Sequence, residues 1–95
     1  KLTHYSFHTP TSGNNDYPKS WIVECSNDLN NWITKDNRNN EAAMNHANTC
    51  CTYKCQTQSD EFYQYIRIKS TSQCWDNSYY FDISGVELYG DLKEK

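Results

Sequence analysis

The sequence is short of what usually builds a core. Leu, Ile, Val and Phe together number 14 of 95 residues, under the roughly 20% below which a strongly charged chain stays disordered. No apolar run approaches the roughly 18–20 residues of a membrane-spanning helix, and the opening KLTHYSFHTP lacks the apolar core of a signal peptide. Neither charge dominates: 9 Lys and Arg face 12 Asp and Glu, for a net charge of −3. These charges are spread evenly, so neither a basic nucleic-acid surface nor a charged tail is expected. There is no internal repeat, and the one compositional bias, 11 Asn, reads as loop filler.

Aromatic residues oppose the disordered reading. Tyr, Trp and Phe make up 15% of the chain, and the low net charge leaves collapse unopposed, so Tyr and Trp must supply most of the burial. The length allows one domain, residues 1–95. Because the chain starts at Lys1 rather than Met, a fragment or processed product is expected.

Five cysteines, Cys25, Cys50, Cys51, Cys55 and Cys74, cannot all pair within one chain. Reduced thiols and an intracellular setting are the expectation. Cys50, Cys51 and Cys55, with His46 four residues before Cys50, form the only cluster. The spacing is not that of a zinc knuckle and has no second half, so no metal or cofactor is expected.

Strand-like alternation recurs along the chain. In 2–9, Thr3, Tyr5 and Phe7 share the inward face; in 20–26, Trp21, Val23 and Cys25 share one face and Ile22 and Glu24 the other. Asn27 to Asn31 reads as a turn in which Asp28 bonds backbone N–H groups, and Trp32-Ile33-Thr34 completes a hairpin. Asp36 to Asn40 reads as a polar loop, and Glu41 to Ala47 as a short helix capped by Asn40. A strand is expected over Thr52 to Gln56. Residues 62–69 alternate Phe62, Gln64, Ile66, Ile68 against Tyr63, Tyr65, Arg67, Lys69. Ser70 to Ser78 reads as a loop, and 79–90 as one or two strands with Gly85 at a bulge or bend. Short strands joined by turn-rich loops predict an antiparallel sandwich.

Three blocks carry more specific information: W-I-V-E-C-S-N-D-x3-W from Trp21 to Trp32, E-F-Y-Q-Y-I-R-I from Glu61 to Ile68, and I-S-G-V-E-L-Y-G from Ile83 to Gly90. In this order and spacing the chain resembles the C-terminal portion of a discoidin domain, also called a coagulation factor 5/8 type C domain, of the protist type. The resemblance runs from Leu2 to Gly90. It implies an all-β fold, an eight-stranded antiparallel jelly-roll β-sandwich whose N-terminal strands would precede Lys1. Trp21, Asp28, Trp32, Arg67 and Tyr89 then form its structural framework, with Phe62. The ligand-facing loops of the family mostly lie in the portion not matched here.

Catalysis is not expected. His4 and His8 lie on one strand face roughly 13 Å apart, too far for one metal to bridge. Cys25 sits on a core face, Cys50 and Cys51 have no activating base, and Asp82 and Glu87 read as surface charges. A non-catalytic binding module is expected, a protein-interaction or structural component of a larger intracellular assembly, cytoskeletal or ciliary. Its partners would be other proteins or the missing part of its own chain, covering exposed sheet edges. The alternative is carbohydrate binding, with Trp75, Tyr79 and Tyr80 as a stacking platform. Lipid binding ranks last, because Asp76 adjoins Trp75.

Overall fold

The computed structural model describes residues 1–11, 17–58, 61–75 and 83–91. Those residues form six strands: β1 (Leu2–His8), β2 (Trp21–Ser26), β3 (Ile33–Arg38), β4 (Cys50–Lys54), β5 (Tyr65–Ser70) and β6 (Gly85–Gly90). All pairings are antiparallel, in two three-stranded sheets ordered β4-β1-β6 and β3-β2-β5. The expected all-β class is therefore observed.

The sheets meet through aromatic rings. Tyr5 and Phe7 of β1 and Trp21 and Val23 of β2 are fully buried, with Met44, Tyr53 and Cys55 beside them. The Phe7 and Trp21 rings are 5.1 Å apart, edge to face, and Trp21 and Tyr53 are 5.3 Å apart in the same geometry. Such pairs contribute about 0.5–1.5 kcal/mol each beyond area burial. Few aliphatics are needed because one Trp, two Tyr and one Phe fill the space between the layers.

A polar network runs through this aromatic core. Asp36 is buried, accepts a hydrogen bond from the Tyr5 hydroxyl, and accepts others from Arg38 Nε at 2.9 Å and the Gln56 amide at 3.1 Å. Trp21 Nε1 donates to the Tyr5 oxygen at 2.8 Å. Burial first, and then the bond to Asp36, push the Tyr5 pKa well above its ordinary value, so the phenol stays a donor.

Several boundaries differ from expectation. The predicted loop Asp36 to Asn40 is wrong at its start, since β3 continues through Asp36, Asn37 and Arg38. The register shifts between Val23 and Glu24 so that Val23 faces Asp36 and Glu24 faces Thr34, with Lys35 as the extra residue. Both Lys35 and Asp36 are buried. The predicted helix 41–47 shrinks to one 3-10 turn, Ala42–Met44, with Glu41 and not Asn40 at its N-cap and no side-chain cap bond. So short a segment has no helical stability of its own, and it is held by burying Met44. The strand expected over 52–56 occupies Cys50–Lys54, and that expected over 62–69 starts later, at Tyr65. Gly85 opens β6 opposite His8. Tyr79 to Asp82 lie outside the described residues.

Candidate functional site

Ladder register decides which side chains face inward, because paired residues share a face. On the first sheet Tyr5 pairs with Leu88 and Phe7 with Val86. On the second, Val23 pairs with Ile68 and Cys25 with Ile66. Leu88, Val86, Ile68 and Ile66 therefore point to the same interior as the buried aromatic residues. Yet Leu88 is 50% exposed, Val86 41% and Ile66 38%. The interior is open on this side.

The opposite side is closed. Arg38 Nη2 donates to the Lys54 carbonyl at 2.8 Å, Gln56 Nε2 donates to the Asn37 carbonyl at 3.0 Å, and the Thr57 amide donates to the Lys35 carbonyl at 3.0 Å. These bonds lace β3 to β4 and the segment after it. Between β5 and β6 no hydrogen bond is found among the described residues, and no described strand pairs with the outer edge of either. A cleft of about 900 Å³ runs between them, lined by Leu2, Cys25, Phe62, Tyr65, Ile66 and Leu88 among others. It combines an apolar floor with two edges that no described strand pairs, the arrangement that accepts an added strand.

The cleft's rim is ordered by short-range chemistry that the sequence announces. Asp28 Oδ1 accepts the amides of Asn30 at 2.9 Å and Asn31 at 2.8 Å, and Leu29 takes a positive φ of 65°. Those bonds hold the Asp28 pKa well below the usual carboxylate range. Next to that turn, the Asn27 amide accepts from the Gln64 amide at 2.9 Å and donates to the Phe62 carbonyl at 3.2 Å, tethering the segment that enters β5. Trp32 donates to the Leu29 carbonyl at 3.2 Å, and the Arg67 guanidinium lies 3.9 Å over its ring while Arg67 Nε donates to Glu24 at 2.8 Å. Trp32, Arg67 and Glu24 thus tie the turn to the outer face of the second sheet.

Tyr89 lies on the first sheet. It points to the outer face opposite His4, 42% exposed, and its hydroxyl donates to Glu87. Trp21 is at the centre of the core, and Phe62 is half-buried beside the cleft.

Trp75 is half-buried, with Nε1 donating to the Pro18 carbonyl at 3.0 Å and Lys19 Nζ lying 5.1 Å from the ring centre. Its expected companions Tyr79 and Tyr80 lie outside the described residues. Among the cysteines, Cys25, Cys55 and Cys74 are buried, Cys51 is half-buried and Cys50 exposed. Burial pushes the Cys55 thiol up to about 11 and raises Cys25 as well. Among the described residues no three of His, Cys, Asp and Glu gather in a way that could hold a metal ion.

Sequence reasoning passed over Ile66 and Leu88 as cleft residues and Val86 as an exposed residue of the inward face. Their alternation shows that one face of each strand is apolar; which strands lie across from that face is a long-range property. A comparison with protein-family models finds no match, and a comparison with curated proteins finds none either.

Proposed function

We propose that this chain is a non-catalytic binding module, discoidin-like in its three sequence blocks and jelly-roll in plan, that acts by joining protein to protein inside a larger assembly. One observation carries the reading: Ile66, Val86 and Leu88 face the interior and are still exposed, on two strands whose outer edges no described strand occupies. An extended polypeptide satisfies both halves of that surface, since its backbone pairs with an edge and its alternate side chains enter the apolar cleft. An extended peptide can also pair with the strand edges that no described strand occupies, which a sugar cannot, and this favours protein over glycan at this site.

The test places a photoreactive phenylalanine at Leu88 in the full chain and irradiates it in cells. The expected product is a crosslink to a defined peptide segment that disappears when Ile66→Asp alters the opposite lip. A glycan-array signal abolished by Trp75→Ala, with no crosslink at Leu88, would move the function to carbohydrate binding.

A further inference from the structure

The two open edges carry opposite charge. On β5 the outward-facing side chains include Arg67 and Lys69; on β6 the outward-facing position between Val86 and Leu88 is Glu87. Pairing β5 with β5, or β6 with β6, would set like charges across a ladder, which is destabilising. Pairing β5 with β6 sets basic against acidic on the outside and joins the inward-facing apolar sides of the two strands.

Strand directions and heights allow that pairing between two copies. Trp21 begins β2 and its ring meets Phe7, near the end of β1, while Leu2 at the start of β1 and Cys25 near the end of β2 both line the cleft, so β1 and β2 run in opposite directions. Since β6 opposes β1 and β5 opposes β2, β5 and β6 also run oppositely. A two-fold axis along the strands keeps every direction, so β5 of one copy meets β6 of the other antiparallel. Phe7 pairs with Val86 and Trp21 with Ser70, which puts Val86 level with Ser70. Two residues along each strand, Leu88 is level with Ile68, and between them Glu87 is level with Lys69.

We infer that the partner of the open side is a second copy of this chain: β5 of each copy pairs with β6 of the other, Lys69 beside Glu87, joining two half-open interiors into one core. The inference rests on the open side being a protein-binding surface, as proposed above. A two-fold arrangement closes both openings at once and leaves no open side to propagate a filament. The same charges act against the wrong pairings, so Lys69 guards the edge as well as selects its mate.

The 95-residue chain is examined by light scattering on a sizing column and by sedimentation over a concentration series. The expected species is a dimer, twice the 11.2 kDa chain mass. Lys69→Glu and Glu87→Lys are each expected to weaken the dimer about tenfold or more, because every substitution puts like charges at two symmetric sites, and the double exchange to restore it. Both positions are exposed, and an unchanged far-ultraviolet spectrum verifies folding. A monomer at all concentrations overturns the inference, and so does a dimer indifferent to the two reversals or one that the double exchange fails to restore. A monomer that is still crosslinked from Leu88 to another polypeptide overturns self-pairing and leaves the module reading intact; one that crosslinks to nothing overturns both.

Discussion

The hydroxyl of Tyr5 on β1 donates to the carboxylate of Asp36 on β3, and this bond joins the two sheets through the middle of the core. Around it, Trp21 donates to the Tyr5 oxygen and Arg38 donates to Asp36, so within this network Tyr5, Trp21 and Asp36 answer one another. An unanswered buried group costs its full desolvation penalty, which makes the network sensitive to loss of any one member.

Tyr5→Phe is therefore expected to destabilise the chain by about 1–3 kcal/mol, because it removes a donor from a buried carboxylate while keeping the ring. Asp36→Ala is expected to cost more, about 3 kcal/mol or above, since Tyr5, Arg38 and the Gln56 amide lose their acceptor together. Denaturant unfolding of both variants beside the parent chain checks the order.

Gly90→Ala is expected to destabilise by more than about 1 kcal/mol. Gly90 has φ +153°, and a Cβ there would fall 1.7 Å from the Lys1 carbonyl oxygen, so the backbone must part at the end of the β1–β6 ladder. A lowered thermal midpoint, with faster amide exchange at the Leu2 end of β1, checks it.

How much of this was legible from sequence follows from the range of the interactions involved. The β2 strand, the Asp28 turn and the aromatic inward face of β1 depend on neighbours within a few residues, and alternation and turn chemistry announce them. Asp36 reads as loop because D-N-R-N-N is polar; its burial depends on Tyr5, 31 residues away, and on a register shift at Lys35 that no local pattern marks. Tyr89 is framework by resemblance alone, and its place on the outer face beside Glu87 emerges only from ladder register. The residues on the open side emerge only from ladder register, because which strands lie across from an apolar face is set by long-range pairing.

The thiols should react in order of exposure. With iodoacetamide at pH 8, Cys50 is expected to label first and Cys51 more slowly, while Cys25, Cys55 and Cys74 resist until the chain unfolds. Cys55, at about 11, holds little thiolate at that pH even where reagent reaches it. Mass spectrometry of partially labelled protein checks the sequence of events.

Acid should loosen the turn at the cleft's rim late. The Asp28 pKa lies below its ordinary value because the Asn31 and Asn30 amides bind the carboxylate. A depressed folded value contributes stability above the unfolded carboxylate value, near ~3.9, and loses it as pH falls through the folded one. In a carbon-detected titration Asp28 is expected to remain ionised below pH ~3.9, and Asp28→Ala to remove that part of the acid dependence. A midpoint at the ordinary aspartate value would contradict the bonding described.

The most direct test of self-pairing through the open side is residue-resolved amide hydrogen exchange over a concentration series. The account expects amides of β5 and β6 to slow as concentration rises, while those of β3 and β4, on the laced side, keep their rates. Exchange at β5 and β6 that is the same at every concentration, or slowing that falls on β3 and β4 instead, would contradict it.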